Sequence, residues 1–182
     1  MIVARFGSAR GAVRLGLSYL QVGARLAAIQ SADPATITRL VFVCQGNICR
    51  SAFAEAVAIR RGAQTASFGL STHTGGPAHP PAVAVASAMG YDLTSHRTTR
   101  VEDYEPLPGD LLLAMEVRQL HRLATLPRLA AQPRNLLGRW SGTPHLHDPF
   151  ELDDAYMLTC LKRISIAVDR LVTAFPNARL SV

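Results

Sequence analysis

The chain has 182 residues, of which 48% are hydrophobic and 18% charged, a balance typical of a packed globular protein rather than a disordered one. The length predicts one domain with a sizeable appendage, since a domain averages roughly 150 residues. No run of about 18 apolar residues is present, so a membrane-spanning helix is not expected.

The net charge of +6 is carried almost entirely by arginine, because Lys162 is the single lysine. No block of basic residues is interleaved with aromatic side chains, so we expect scattered surface arginines and no nucleic-acid partner. The three cysteines, Cys44, Cys49 and Cys160, are too few for a disulfide scaffold. They indicate thiol chemistry in a reducing compartment, and the protein is therefore expected to be cytoplasmic.

Residues 1–37 are predicted to be an N-terminal extension, with four arginines against one acidic residue. A single amphipathic helix is predicted over Arg10–Gln30, ended by residues 31–34. Its apolar face is expected to pack on the main domain or on a second copy. A basic helix resting on a membrane surface is the alternative. A signal peptide fits less well, because Arg25 interrupts the short apolar stretch. The sequence assigns no oligomeric state.

Strands and helices alternate regularly in residues 38–182. Leu40–Val43 is a continuous apolar run, as expected for a strand buried on both faces, and residues 50–61 are good helix formers. Further strands are predicted at Thr65–Phe68, Leu111–Met115 and Asn135–Leu137, and further helices at residues 80–90, at a segment ending near residue 123, and at Asp153–Ala174. This alternation predicts an α/β domain whose parallel sheet is covered by helices on both sides.

The segment between the first strand and the following helix contains the candidate chemistry. It reads Cys44-Gln45-Gly46-Asn47-Ile48-Cys49-Arg50-Ser51. A tight turn there would point backbone N–H groups into a concavity, and the helix dipole would add positive potential, so the segment predicts an oxyanion site. Gly46 and Asn47 tolerate the left-handed backbone angles that such a turn requires.

A cysteine at the base of this turn is expected to be a nucleophile, because the same field favours the thiolate of Cys44. Arg50 is placed to clamp the bound anion with two N–H groups, and Ser51 to donate a hydrogen bond to the thiolate. A lone cysteine is more often a small buried hydrophobe, but the surrounding residues argue against that reading. Cys49 either packs in the core or forms a reversible disulfide with Cys44.

The motif Cys-x-Gly-Asn-x-Cys-Arg-Ser resembles the phosphate-binding signature of the low-molecular-weight protein tyrosine phosphatases, and the resemblance covers residues 38 to about 175. It implies a single three-layer domain with a four-stranded parallel sheet flanked by helices. It also implies hydrolysis of phosphotyrosine in proteins, an aryl phosphomonoester, through a cysteinyl-phosphate intermediate formed on Cys44. No cofactor and no metal are expected.

Other positions carry the same resemblance. Asp148-Pro149-Phe150 resembles the family's Asp-Pro-aromatic loop, which implies Asp148 as general acid and base and Phe150 as a substrate wall. Glu55, Ser67 and His96 also match family positions. The resemblance implies that Ser67 and His96 hold Asn47, and with it the phosphate-binding loop.

The chain departs from the family pattern at the pocket walls. Gln45 and Glu151 are more polar than the usual residues, residues 71–73 lack the usual aromatic, and Glu116 replaces an aspartate. His145 and His147 flank the acid loop, but two histidines and one aspartate are too few for a metal site.

The expected partner is a tyrosine-phosphorylated protein, and family analogy suggests a bacterial tyrosine kinase. Three alternatives stay open. A thioredoxin-linked arsenate reductase would need further cysteines downstream of Cys49. A protein-arginine phosphatase would have threonine at Ile48. A non-catalytic phosphopeptide-binding module would not need Cys44, Arg50 and Asp148 together.

Overall fold

The computed structural model describes residues 2–180. Residue 1 of the predicted N-terminal extension and residues 181–182 of the predicted main domain lie outside the described residues. Four parallel strands form one sheet in the order β2-β1-β3-β4. The strands are β1 (Arg39–Cys44), β2 (Thr65–Gly69), β3 (Asp110–Ala114) and β4 (Arg134–Leu136). The predicted fold class, an α/β domain with a four-stranded parallel sheet and an N-terminal helix, is confirmed.

Within the described residues, six α-helices accompany the sheet. They are α1 (Ile2–Phe6), α2 (Ala9–Gly23), α3 (Arg50–Arg60), α4 (Pro80–Ala88), α5 (Val117–Thr125) and α6 (Asp154–Ala174). Short 3-10 turns lie at Val101–Asp103, Leu137–Ser141 and Pro176–Ala178. In the main domain, the observed ends of the strands and helices differ from the predicted ends by no more than two residues. Leu137, for example, begins a 3-10 turn instead of ending β4.

The sheet has an apolar core on each face. Alternate residues of β1 point to opposite sides, so that Leu40 and Phe42 pack with α3 and α6, whereas Val41 and Val43 pack with α5. Both faces are covered, which explains the unbroken apolar run in the sequence. Cys44, at the carboxyl end of β1, lies on the α3 side.

The predicted helix over Arg10–Gln30 is wrong in its extent. Ser8 caps α2, and the helix ends at Gly23. Beyond it, Arg25 and Ala28 adopt left-handed backbone angles, with φ of 59° and 51°. These turns bring Ala27 into the core and allow Gln30 to pair with Arg134 of β4, so tertiary contacts override the helical periodicity.

The expectation that the apolar face of α2 packs on the main domain is also wrong. Its apolar residues Val13, Leu17 and Leu20 are 63%, 52% and 71% exposed, whereas Gly11 and Ser18 are buried against the domain. The face that packs on the domain is therefore the one with the small and polar side chains. Within residues 2–180, no helix has both the length and the apolar character needed to cross a membrane.

Candidate active site

The phosphate-binding loop lies between the carboxyl end of β1 and the first turn of α3. Asn47 has a φ of 53°, while Gly46 does not take a left-handed angle, so only one of the two expected residues supplies the turn. Gly69, at the end of β2, lies against the loop. A Cβ at Gly69 would come within 3.0 Å of the Gln45 carbonyl oxygen, so the loop can approach β2 closely only because this residue is glycine.

The buried side chain of Asn47 holds the loop in this shape. Its amide nitrogen donates to Ser51 Oγ at 2.9 Å and to Ser67 Oγ at 2.8 Å. Its amide oxygen accepts from the backbone N–H of Thr99 at 2.8 Å, and the His96 ring lies 2.7 Å from its backbone oxygen. The structure thus brings Ser67 and His96 to Asn47, as the resemblance implied. Thr99 acts through its backbone and has no side-chain signal in the sequence.

Glu55 forms the layer behind these residues. The Ser67 hydroxyl donates a hydrogen bond to Glu55 Oε2 at 2.6 Å, and His96 Nδ1 lies 3.7 Å from the same oxygen. Burial raises the pKa of Glu55, while the Ser67 hydrogen bond and the nearby His96 oppose that rise. A chain of contacts therefore runs from α3 through β2 to the loop.

The sulfur of Cys44 lies where negative charge is stabilised. The Asn47 backbone N–H donates to Sγ at 3.2 Å, and Ser51 Oγ lies 3.0 Å from Sγ. Because Ser51 Oγ already accepts from the Asn47 amide, its own proton is available for the sulfur. The N-terminus of α3, which begins at Arg50, adds the favourable end of the helix dipole. These contacts stabilise a thiolate, the form required for nucleophilic attack.

Arg50 is buried beside the loop and is held by three acceptors. Nη1 donates to Glu116 Oε1 at 2.8 Å and to the Leu146 carbonyl oxygen at 2.9 Å, and Nη2 pairs with Asp148 Oδ2. Burial opposes the charge, but the Asp148 and Glu116 carboxylates outweigh it and raise the pKa of Arg50. The guanidinium is therefore a permanent cation at the base of the cavity.

Glu116 accepts from several arginines. Burial disfavours its charge, but Arg50 and Arg118 lower the pKa of Glu116 to about 2. Arg118 Nε lies 2.8 Å from Oε2, and Arg14 of α2 lies 3.6 Å from the same oxygen. The sequence marked Glu116 only as a departure from the family pattern. Its position after the buried strand β3 was the signal that could have placed it in the site.

Asp148 enters the site from a separate loop before α6. Besides its pairing with Arg50, it accepts from the backbone N–H of Phe150 at 3.3 Å. Glu151 then turns the chain away, with a φ of 60°. The structure brings Asp148 to the same cavity as Cys44, although 104 residues of sequence separate them.

The cavity between the two loops has a volume of about 190 Å³. Gln45, Ile48 and Phe150 form part of its wall. The His79 ring centroid lies 5.0 Å from that of Phe150, which makes His79 a support for this wall. The predicted site residues Cys44, Gln45, Gly46, Ile48, Cys49, Arg50, Asp148 and Phe150 all line this cavity.

The other two cysteines are buried free thiols. Burial raises the pKa of Cys49 and raises that of Cys160 to about 12. Cys49 packs in the core that α3 and α6 share, and its disulfide with Cys44 stays a prediction. In the part of the chain that the structure describes, no group of three or more His, Cys, Asp or Glu side chains could hold a metal ion.

Comparisons with known proteins agree with this geometry. The model of the low molecular weight phosphotyrosine protein phosphatase family matches residues 39–180, which leaves the N-terminal extension outside the match. The low molecular weight protein-tyrosine-phosphatase Wzb of Salmonella typhi is 32% identical over 114 residues, covering 62% of this chain and 76% of the relative.

Solved structures share the fold. The tyrosine phosphatase AmsI of Erwinia amylovora superposes with a TM-score of 0.68 at 24% identity, covering 80% of this chain and 98% of that one. The YwlE arginine phosphatase of Geobacillus stearothermophilus superposes with a TM-score of 0.64 at 24% identity, covering 75% and 91%. These likenesses concern the fold, whereas the family match extends over most of the chain. The chain therefore belongs to the low molecular weight phosphotyrosine protein phosphatase family.

Proposed function

We propose that the protein hydrolyses phosphotyrosine in proteins with Cys44 as nucleophile, Arg50 as phosphate clamp and Asp148 as general acid and base. The observation that carries this proposal is the convergence of these three side chains on one cavity of about 190 Å³. The cavity has apolar and aromatic walls beside a buried cation, which suits a phosphorylated aromatic ring. The family assignment makes the chain a protein tyrosine phosphatase.

In the first step, the Cys44 thiolate attacks phosphorus in line. An S–P bond forms as the bond from phosphorus to the phenolic oxygen breaks. Asp148 gives its proton to the departing phenolate, so that tyrosine leaves neutral. The loop N–H groups and Arg50 hold the equatorial oxygens, on which the charge is spread.

In the second step, a water molecule attacks the cysteinyl phosphate. Asp148, now ionised, takes a proton from this water, an O–P bond forms, and the S–P bond breaks. Inorganic phosphate and the Cys44 thiolate are released. Asp148 is protonated again for the next cycle, and Ser51 stabilises the sulfur as a leaving group.

Substrate binding has to rearrange one contact. Arg50 Nη2 faces Asp148 Oδ2, and a phosphate dianion in the loop would compete for the same guanidinium edge. Nη1 remains fixed by Glu116 and by the Leu146 carbonyl. The guanidinium therefore keeps its position while Asp148 moves from the arginine to the leaving group.

The direct test is turnover of p-nitrophenyl phosphate and a phosphotyrosine peptide by the full chain, with Cys44→Ser as the inactive control. A phosphoserine peptide should remain intact, because its shorter side chain holds phosphorus away from the base of the cavity. Absence of turnover with both aryl substrates would contradict the proposal. Phosphoarginine and arsenate, assayed in parallel, test the two alternative enzymes.

The observed residues support those alternatives less well. Cys160, the cysteine downstream of the loop, is fully buried in α6 and cannot easily relay a disulfide to thioredoxin. Ile48 lines the cavity where the resemblance places threonine in arginine phosphatases. A non-catalytic binding module would have no need for Asp148 beside the nucleophile.

The substrate protein is proposed to be a bacterial tyrosine kinase in the cytoplasm, as family analogy suggests. The measurement is the rate of phosphate release from a purified, autophosphorylated bacterial tyrosine kinase. Tyrosine-phosphorylated casein serves as the comparison. A rate no greater than that with casein would contradict the assignment.

The outward face of α2 is proposed to rest on an anionic membrane surface. Val13, Leu17 and Leu20 form an exposed apolar stripe, and the exposed cations Arg10 and Arg25 lie on the same extension. An apolar stripe beside cations is the pattern of an interfacial helix. The combination favours a lipid surface over a second protein copy, because two such extensions would bring like charges together.

Vesicle flotation tests this contact. The full chain should bind vesicles of phosphatidylglycerol and phosphatidylcholine, and binding should weaken with pure phosphatidylcholine. Leu17→Ser with Leu20→Ser should abolish it, whereas Ile59→Ser, an exposed apolar position on α3, should not. Equal binding by all three proteins, or a concentration-dependent dimer that these serines disrupt, would contradict the membrane proposal.

A further inference from the structure

The inward face of the N-terminal extension contacts the loop that carries Asp148. We propose that Ser8 and Tyr19 are positioning residues, which hold this loop so that Asp148 reaches the leaving group. The proposal rests on the function proposed above, since it assigns the extension a part in the proton transfer by Asp148. It assigns a function to the N-terminal extension, which lies outside the residues 39–180 that the family model matches.

The first contact is made beside Asp148 itself. Ser8 Oγ lies 3.1 Å from Nε2 of His147, the residue immediately before Asp148. Ser8 is at the same time the N-cap of α2, where its Oγ accepts from the Gly11 backbone N–H at 3.0 Å. The start of α2 and the acid loop are thus joined through a single hydroxyl.

The His147 ring packs directly on the extension. A Cβ at Gly11 would lie 2.9 Å from His147 Cδ2, so the ring approaches the helix backbone where only hydrogen occupies the side-chain position. From α6, the Tyr156 hydroxyl donates to the His147 carbonyl oxygen at 3.4 Å. His147 is therefore held between the extension and α6, and Asp148 follows it in the chain.

The second contact is made at the beginning of the same loop. The Tyr19 hydroxyl donates to the carbonyl oxygen of Gly142 at 2.5 Å. Gly142 ends the 3-10 turn after β4 and has a φ of 73°, where the chain changes direction. Tyr19 and Ser8 together attach α2 to both ends of the segment from Gly142 to His147.

The charge state of His147 suits a fixed hydrogen bond. Burial lowers the pKa of His147, and Arg50 and Arg14 lower it further, while Glu116 and Asp148 oppose them. The ring is thus neutral at neutral pH, and one of its nitrogens can pair with Ser8 without placing a second cation next to Asp148.

The helix also contacts the other half of the catalytic machinery. Arg14 Nη1 lies 3.6 Å from Glu116 Oε2, and Glu116 fixes Arg50. The arginine side chain of this pair is 34% exposed, so the contribution of the pair is smaller than that of a buried pair. The location of the Arg14–Glu116 pair matters more than its strength. Through Arg14 and its N-cap Ser8, α2 contacts both Glu116, which holds Arg50, and His147, which precedes Asp148.

A loosened acid loop has a specific kinetic signature. Proton transfer matters most when the leaving group is a poor one, so the loss should be large for phenyl phosphate and small for p-nitrophenyl phosphate. Phosphate binding should persist, because the phosphate-binding loop is anchored by Asn47, Ser67 and His96 instead. A general loss of folded protein would lower both rates equally.

The experiment compares kcat/KM of the full chain across a series of aryl phosphates of increasing leaving-group pKa. For Ser8→Ala and Tyr19→Phe we expect a loss of about three- to ten-fold with phenyl phosphate and less than about two-fold with p-nitrophenyl phosphate. Both losses are smaller than the roughly 10² to 10⁴-fold that general acid catalysis contributes, because Asp148 itself is retained. Ser8→Thr, which keeps the hydroxyl, should restore the wild-type slope. Gly16→Ala, at an exposed position of α2 with nothing near its Cβ, is the matched control.

Slopes identical to wild type in both variants, with unchanged inhibition by phosphate, would overturn the proposal. Should Ser8→Ala fail to fold, as judged by circular dichroism, the result for Tyr19→Phe alone decides, since Tyr19 is half exposed and its ring is retained. If the wild-type chain hydrolyses none of the aryl phosphates, the proposed function fails instead, so the two failures are distinguishable.

Discussion

Asp148 and Arg50 form an ion pair at the base of the cavity, with Asp148 Oδ2 against Nη2 of the buried guanidinium. The same Arg50 edge is the one that has to hold the phosphate of a substrate. In the proposed mechanism, Asp148 therefore alternates between two partners, the arginine and the leaving oxygen. Asp148, the proposed general acid, therefore competes with the phosphate group of the substrate for Arg50.

Asp148→Ala should separate catalysis from binding. Turnover of phenyl phosphate, whose leaving group is poor, should fall by about 10² to 10⁴-fold, because the proton donor is lost. Inhibition by inorganic phosphate should persist or become tighter, because the carboxylate that competes for Arg50 has gone. Steady-state kinetics with phosphate as inhibitor measure both effects.

Asp148→Asn is the matched control, since it keeps the size of the side chain but has no acidic proton to transfer to the leaving group. Its turnover should fall as far as that of Asp148→Ala. Turnover close to wild type in either variant would show that another residue is the acid.

Asn47 is expected to be required for the shape of the loop, because its φ of 53° and its side-chain hydrogen bonds occur together. Asn47→Ala loses both, and kcat should fall by about 10 to 100-fold as the N–H groups and Sγ lose their alignment, since a misplacement of about 1 Å can cost 10²-fold. Asn47→Gly removes the same hydrogen bonds but tolerates the backbone angle.

Comparison of Asn47→Ala with Asn47→Gly therefore separates the effect of backbone strain from the effect of the lost side-chain hydrogen bonds. Asn47→Gly should be more stable than Asn47→Ala by about 1 kcal/mol in urea unfolding, because a left-handed angle costs alanine roughly that amount. Both should show similarly low activity. Wild-type activity in Asn47→Gly would show that the side-chain network is dispensable.

The contents of the loop could be predicted from the sequence, because the determinants of the turn are local. Cys44, Asn47 and Arg50 lie within seven residues of one another, and their roles follow from the strand before them and the helix after them. The strands could be predicted for a similar reason, since burial on both faces leaves an unbroken apolar run.

Contacts over long separations could not be predicted in this way. Thr99 reaches Asn47 through its backbone N–H, and no side-chain pattern marks such a donor. For α2, periodicity located a helix with two unlike faces but could not decide which face the domain would bury. Contacts of Ser8 and Tyr19 with the acid loop settle that choice in favour of the polar face.

Cys44 and Cys49 should differ in reactivity, although both line the cavity. Cys44 has two hydrogen-bond donors near its sulfur, whereas burial raises the pKa of Cys49 and keeps it a thiol. Iodoacetate, an anion that the loop can attract, should label Cys44 and inactivate the enzyme. Mass spectrometry locates the label, and inorganic phosphate should slow the reaction by occupying the loop.

Cys49→Ser should leave the iodoacetate reaction in place, whereas Cys44→Ser should remove it. Label recovered on Cys49 at a comparable rate would contradict the assignment. Treatment of the wild-type chain with peroxide tests the predicted disulfide. Inactivation that dithiothreitol reverses in wild type, but not in Cys49→Ser, is the result expected if Cys49 captures the oxidised Cys44.

Glu116 should contribute a pH-dependent part of the stability. Arg50 and Arg118 outweigh the burial of this carboxylate and lower its pKa from 4.5 to about 2. A folded-state pKa below the unfolded value means that the contribution is fully present above about pH 4.5. It is lost as the pH falls toward 2 and the carboxylate takes up a proton. The shift corresponds to roughly 3 kcal/mol, at about 1.4 kcal/mol per pKa unit.

Glu116→Gln tests this contribution, because glutamine keeps the shape and does not titrate. The variant should be less stable at pH 7 by about 3 kcal/mol or more, since it leaves the buried Arg50 with one charged partner fewer. Its disadvantage should shrink as the pH falls from 4.5 toward 2. Urea unfolding at several pH values measures this difference, and a difference independent of pH would show that Glu116 is not ionised in the folded protein. Because Arg50 also loses its fixed position, kcat should fall together with stability at pH 7.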